Sequence, residues 1–319
     1  MGDATSGPRK VCVAGASGTI GRAVVRECAA RGHAVTALVR SEAAAALPEL
    51  AGADVRVADL TQQMDASLAL AEIRPEIVIS CLASRSGSPK DAKAVDYDAN
   101  MHLLIASESQ AISRFVLLSA ICVQRPMLAF QHEKLGFEWA LHDQTSFDYT
   151  IVRPTAFFKS LSGQVARVAA GKPFLIFGDG ELTRCKPISD ADLARFIVNA
   201  MTDPEAIDRV LPIGGPGPAI TLRQQGELLF EVAGREPRFK SVPVAMFDAA
   251  AFALGLGARL SDWCAEKAEY ARIAKYYATQ SMLLLDERTG EYDADATPEF
   301  GTETLRDHYA ALIADIARQ

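Results

Sequence analysis

The amino-acid sequence predicts an α/β fold, a doubly wound parallel sheet with a smaller C-terminal part. Three observations carry that prediction. Short apolar runs alternate with helix-period segments from the first residues onward, the pattern of successive βα units. One run, 77–82, reads as apolar and β-branched, as a parallel strand buried on both faces should be. The stretch Val11-Cys12-Val13-Ala14-Gly15-Ala16-Ser17-Gly18-Thr19-Ile20-Gly21 joins a strand to a helix through glycines at 15, 18 and 21.

That third stretch has the context a dinucleotide fingerprint needs and makes the fold Rossmann-like. Gly15 can take a turn conformation that a Cβ would hinder, and Gly18 lets backbone approach a pyrophosphate. Gly21 lets the helix pack closely on the strand, while free amides at the helix start face the anion. The second strand, 34–39, ends in Arg40-Ser41, where an NAD-specific enzyme usually carries an acid for the ribose 2′-hydroxyl. A basic residue there suits a 2′-phosphate, so NADPH is the predicted cofactor. A third strand, 54–58, closes on Asp59-Leu60, beside which adenine often lies. The fourth ends in Cys81-Leu82-Ala83-Ser84 and opens into a polar loop through residue 90. A helix over 94–109 carries Tyr97 and Asn100, and strands follow at 115–119 and 149–152.

Residues 1–154 are predicted to form the nucleotide-binding domain, with 178–201 returning to it and 155–319 forming mainly the substrate-binding region. Helices are expected at 189–201, with Asp190 or Asp192 at its start facing the dipole, at 242–260 and at 262–277.

Composition bounds the function. The 319 residues are 49% hydrophobic and 23% charged, ordinary for a globular protein, and the formal net charge of -7 argues against nucleic acid as a partner. The six cysteines lack paired spacing and read as reduced, buried thiols; the five histidines lack metal-ligand spacing, so no protein metal site is predicted. Apolar runs are too short to cross a bilayer, and the few residues before the first strand suit neither a signal nor a transit peptide. The cytoplasm is the expected location.

The sheet and glycine spacing resemble the short-chain dehydrogenase/reductase superfamily, whose members pair a tyrosine with a lysine four residues on. The matching segment is Phe130-Gln131-His132-Glu133-Lys134: the lysine is present and the tyrosine is phenylalanine. The resemblance implies that Lys134, the one catalytic residue assigned, holds the nicotinamide ribose. Phe130 has no acidic proton, so carbonyl reduction by the usual route is disfavoured. A carbon–carbon double bond conjugated to a large π system fits better, because that system can spread the charge hydride leaves behind. His132 turns away from the face shared by 130 and 134. The cofactor set read here is Gly15, Ser17, Gly18, Thr19, Ile20, Gly21, Arg40, Asp59, Leu60, Cys81, Ser84, Ser119, Lys134 and Pro154.

Three stretches narrow the resemblance: residues 149–164, beginning Tyr149-Thr150-Ile151-Val152-Arg153-Pro154; residues 178–194, with Arg184-Cys185-Lys186-Pro187-Ile188-Ser189-Asp190; and the tail from Tyr276-Tyr277-Ala278-Thr279-Gln280 to Glu299-Phe300-Gly301-Thr302. Together they resemble the NADPH-dependent divinyl chlorophyllide (protochlorophyllide) 8-vinyl reductases over nearly the whole chain, Phe130 included. The resemblance implies reduction of the 8-vinyl group of a Mg-tetrapyrrole to ethyl, in a photosynthetic bacterium given the short start; peripheral association with pigment membranes is compatible with it. Tyr97, Phe130, Phe157, Phe158 and Lys159 are candidate substrate contacts. Arg153, Arg184 and Lys186 are further cations suited to a propionate. Tyr97, a water or another group could supply the proton. Two other readings stand beside this one: a double-bond reductase acting on a phenolic substrate, and a non-catalytic NADP-sensing regulator.

Overall fold

The structure, a computed structural model, describes residues 7–257 and 261–318. It divides into two compact units, Met1–Arg153 with Leu193–Leu211 and Pro154–Asp192 with Pro212–Gln319. The segment returning to the first unit is therefore 193–211, later than the 178–201 read from the sequence.

The central sheet contains β1 (Lys10–Ala14), β2 (Ala34–Val39), β3 (Asp54–Val57), β4 (Ile77–Ser80), β5 (Arg114–Leu118) and β6 (Asp148–Pro154) in the order β3-β2-β1-β4-β5-β6, with a further strand, Arg209–Ile213, beside β6. The pairings β1–β2, β2–β3, β1–β4, β4–β5 and β5–β6 are all parallel. Chain order reverses beside β1, which has β2 on one side and β4 on the other. A doubly wound sheet takes its ligand at that switch point.

Burial explains the strands. β1 beyond Lys10, β4 and β5 are buried along their lengths, as near-continuous apolar runs in a two-face-covered sheet demand. Their side chains (Cys12, Val78, Phe115, Leu117) pack with Leu103, Phe137 and Leu141 from the neighbouring helices. β3 is mostly exposed, as an edge strand can be. The Arg209–Ile213 strand was not read from the sequence; it is short, largely exposed and contains Pro212, which lacks a ladder donor. Buried Arg114, in the middle of this apolar sheet, donates to the carbonyls of Ala200 (3.0 Å) and Asp203 (2.8 Å), fastening the returning segment to β5.

The helix expected over 94–109 starts earlier and is not uniform. It runs as an α turn Pro89–Ala92, a π turn Lys93–Asp98 and an α-helix Ala99–Glu108. Proline at the first helical position suits this start, because its missing N–H has no acceptor to lose.

The second unit is built from small parts. Phe174–Phe177 pairs in parallel with Phe239–Val242, Arg184–Cys185 antiparallel with Ile220–Thr221, and Leu284–Asp286 antiparallel with Glu291–Asp293. Its core gathers Phe158, Phe174, Leu229, Phe230 and Tyr309. Thr221 and Gln224 cap the Leu222–Val232 helix reciprocally, and Thr304 caps Leu305–Ala317. Asp190–Ala200 is helical with Asp190 and Asp192 in its first turn, as expected, and the Ser189 hydroxyl accepts from Asp192 N at 3.0 Å. The Asp192 carboxylate accepts from the amides of Thr302 (3.2 Å) and Glu303 (2.9 Å). The helix expected over 242–260 is Ala245–Gly257, and residues 258–260 lie outside the described residues. It packs against the Asp262–Thr279 helix and leaves Phe252 and Leu256 exposed. Among the described residues no helix is long and apolar enough to cross a membrane.

Gly226 faces Phe239 and Phe174, and a Cβ there would lie 2.5 Å from the first ring and 3.0 Å from the second. Gly226→Ala is expected to cost about 1–3 kcal/mol by overpacking. Equilibrium chemical denaturation reads this as a lowered midpoint; an unchanged midpoint would mean that the rings move aside freely.

Candidate active site

The residues assigned to the cofactor fall at the carboxyl ends of successive strands. Gly15 follows β1, Arg40 follows β2, Asp59 lies two residues past β3, Cys81 follows β4, Ser119 follows β5 and Pro154 closes β6. The topology alone collects positions scattered over 140 residues of sequence onto one edge of the sheet.

The glycine turn is shaped for an anion. Gly15 has φ +72°, and a Cβ on it would lie 2.7 Å from the Cys81 carbonyl oxygen. A Cβ on Gly21 would lie 2.3 Å from the Gly15 oxygen. Gly18 meets little: its virtual Cβ finds only the Gly15 oxygen, at 3.2 Å. The first and third glycines are thus required by backbone packing, and the middle one is left open to a ligand. Gly18 is the N-cap of the Thr19–Ala30 helix; it has no side chain to cap the helix, and no acid occupies the first turn. The amides of that turn and the dipole behind them suit a pyrophosphate. Exposed Arg40 stands at the next strand end, and Ser41 accepts from Ala44 N, starting the short Glu42–Ala45 helix. These residues fit NADPH. A bound NADPH supplies hydride.

The Ala129–Asp143 helix brings up the rest. Buried Gln131 anchors its start, accepting from the amides of Met127 (2.7 Å) and Leu128 (3.0 Å) and donating to the Cys122 carbonyl (3.2 Å). Positions 130, 134 and 138 then share one face. Lys134 Nζ lies 2.9 Å from Asp96 Oδ1, with the lysine side chain 11% exposed and the aspartate fully buried. The same Asp96 oxygen accepts from Ser84 N at 3.2 Å. One turn on, the buried Glu138 carboxylate accepts from the Ser119 hydroxyl and from Arg153, whose Nε lies 3.2 and 3.1 Å from its two oxygens. Burial pushes the Cys81 thiol up to about 12, against the opposing pull of Lys134, so it is neutral and no nucleophile. Cys12, Cys28 and Cys185 are raised to about 12 for the same first reason. Cys264 is only half-buried, unlike the other five.

Several sequence expectations change here. Arg153 is committed to Glu138, and buried Lys186 is committed to Glu299 and to the Thr297 carbonyl. Neither cation is available to a propionate as it stands. The Lys186 bond is also the main reason the Glu299 carboxyl is held below the usual carboxylate range, with the Gly217 amide second. Phe158, a candidate substrate contact, is 3% exposed within the second unit's core, its ring 5.4 Å from that of His308. Phe157 and Phe130 are half-buried, and Lys159 and Arg184 are exposed. Tyr97 packs on the first unit's core beneath Lys93, which sits 4.8 Å from its ring centre. His132 is exposed, as its helical position implies. Among the described residues no cluster could hold a metal ion.

Asp96 and Glu138 were absent from the sequence reading. Glu138 carried a usable signal, lying four residues beyond Lys134 on the same face. Asp96 carried a weaker one, lying four residues before Asn100 within the helix expected over 94–109.

Gly21→Ala is expected to abolish NADPH binding while leaving the far-ultraviolet spectrum of the chain unchanged, since only the turn has to open. Fluorescence titration with NADPH measures this; wild-type affinity in the variant would show that the contact with the Gly15 oxygen relaxes without consequence.

Comparison with known proteins gives the family. Residues 15–204 match the family model described as NAD(P)H-binding. The chain is 45% identical to the chloroplastic divinyl chlorophyllide a 8-vinyl-reductase of Arabidopsis thaliana, over 96% of this chain and 77% of that one. A photosystem II assembly factor of Synechocystis sp. is 28% identical over 74% of this chain and 72% of that one. Among solved structures, the NADPH-dependent quinone oxidoreductase QOR2 of Escherichia coli, complexed with NADPH, gives a TM-score of 0.69 at 19% identity, covering 95% of this chain and 99% of that one, a likeness of fold. With nearly half its residues shared over almost its whole length, the chain belongs to the divinyl chlorophyllide a 8-vinyl-reductase family, within the wider class of NAD(P)H-binding proteins.

Proposed function

We propose that this chain reduces the 8-vinyl group of divinyl chlorophyllide a, or of its protochlorophyllide counterpart, to ethyl with hydride from NADPH, in chlorophyll or bacteriochlorophyll synthesis. The observation that carries the reading is the 45% identity over 96% of the chain. Phe130 supports it chemically, because it stands where carbonyl reductases of this fold keep a phenol.

The residues divide the work as follows. Gly15, Gly18 and Gly21, with the amides of the Thr19–Ala30 helix start, hold the pyrophosphate. Arg40 meets the 2′-phosphate, and a guanidinium matches that group better than an ammonium would. Lys134 donates to the hydroxyls of the nicotinamide ribose and so sets the height of the ring. A vinyl group conjugated to a macrocycle needs no oxyanion partner: charge left by hydride addition at one carbon delocalises into the ring system, and a proton completes the other carbon. The protein's contribution is therefore to hold two flat systems face to face and keep water out.

Purified protein with divinyl chlorophyllide a and NADPH is expected to shift the Soret band and give a product heavier by two hydrogens, by mass spectrometry. NADPH bound but not consumed in the presence of pigment would instead favour a redox-sensing regulator. For the cofactor preference, Arg40→Glu is expected to raise KM for NADPH by about tenfold or more while changing KM for NADH much less, the loss of one charged phosphate contact. An unchanged ratio of the two KM values would make Arg40 a solvated strand-end charge.

A further inference from the structure

The lysine assigned to the ribose does not stand alone, and what holds it is built into the fold. Asp96 is 1% exposed, and its Oδ1 lies 2.9 Å from Lys134 Nζ. Its other oxygen, Oδ2, is buried with no hydrogen-bond partner. The carboxylate therefore has two polar claims on it, the ammonium and the Ser84 amide at 3.2 Å, and both fall on the same oxygen. A buried carboxylate left this short of partners depends on its cation.

Asp96 lies on the π turn Lys93–Asp98. It shares a buried face with Ala92 and Asn100, four residues to either side, while Lys93 and Asp98 lie on the outside of the same helical run. A π turn also strains the carbonyl ladder, and the structure compensates: buried Asn100 donates to the carbonyls of Val95 (3.2 Å) and Asp96 (3.1 Å) and accepts from the Ser80 hydroxyl (2.5 Å). A continuous line of contacts thus runs from Ser80 on β4 through Asn100 and the π turn to Asp96 and Lys134. Single π turns of this kind concentrate at functional sites.

We infer that Asp96 is a positioning residue for Lys134: the π turn presents its carboxylate so that the ammonium is fixed at the height where it meets the nicotinamide ribose. The inference rests on the ribose role given to Lys134 above. A lysine ammonium on a four-carbon stem is otherwise free to sample many rotamers, and a buried countercharge removes that freedom before the cofactor arrives.

The test is a double-mutant cycle read by NADPH dissociation constants from fluorescence titration, on the wild-type chain and its D96N, K134Q, D96N/K134Q and D96E variants. D96N and K134Q are each expected to weaken NADPH about tenfold or more. The double variant is expected to bind no more weakly than K134Q, because Asp96 acts only through the lysine. D96E is expected to recover part of the loss, since it restores the charge. Thermal midpoints give a second reading if a single variant folds poorly: K134Q is expected to melt below D96N/K134Q, since it alone leaves a buried carboxylate without its cation. Wild-type affinity in D96N beside weak binding in K134Q would overturn the positioning role alone. So would effects that multiply in the double variant, or a double variant that melts below K134Q. Wild-type affinity in K134Q would remove the ribose role of the lysine and this inference with it.

Discussion

Backbone meets backbone twice in the turn after β1, Gly15 against Cys81 at the end of β4 and Gly21 against Gly15 and Ala16, and neither contact admits a side chain. This constraint fixes how the Thr19–Ala30 helix leaves the sheet, and so where its amide-bearing end points. The order β2-β1-β4 sets the rest, because it puts the turn at the reversal of the sheet with the ends of β2 and β4 on its two sides. A wider turn would leave the strands intact and misplace the helix, so the nucleotide site is more fragile than the fold that bears it.

Charge within each unit is handled by local pairing. Lys134 has Asp96, Arg153 has Glu138, and Lys186 has Glu299. Asp96 and Glu138 give up hydration to form their pairs, so those pairs add little net stability, yet removing the cation from either costs about 3–5 kcal/mol; Glu299 stays in water and its pair is worth less. Their effect is geometric. Each holds a long, flexible cation at one place, and two of the three do so beside a strand end in the first unit.

The sheet was legible because its strands are apolar enough to declare themselves: the runs at 11–14, 34–39, 77–82, 115–119 and 149–152 match the observed strands to within two residues at each end. The glycine turn was legible because its spacing encodes a steric need. What escaped the sequence has physical reasons. Arg209–Ile213 holds only three apolar side chains besides its proline, and Pro212 reads as a break in the run rather than as part of a strand. Asp96 pairs with a lysine 38 residues away, and nothing in the spacing of its own helix announces that partner. Phe158 looked equally suited to a ligand and to a core, and only the packing around it decides: it is surrounded by Val165, Val168, Leu305 and Tyr309 within the second unit's cluster. Arg153 and Lys186 looked available because their acidic partners, Glu138 and Glu299, lie 15 and 113 residues away.

The Ser119 hydroxyl has one proton, and Glu138 takes it. With its hydrogen turned toward a buried carboxylate, that buried oxygen has only lone pairs left to offer. At position 130 the benzene ring offers no hydrogen either. A carbonyl oxygen brought to these two side chains would find a hydrogen-bond donor on neither, because a buried glutamate has already engaged the one hydroxyl hydrogen between them.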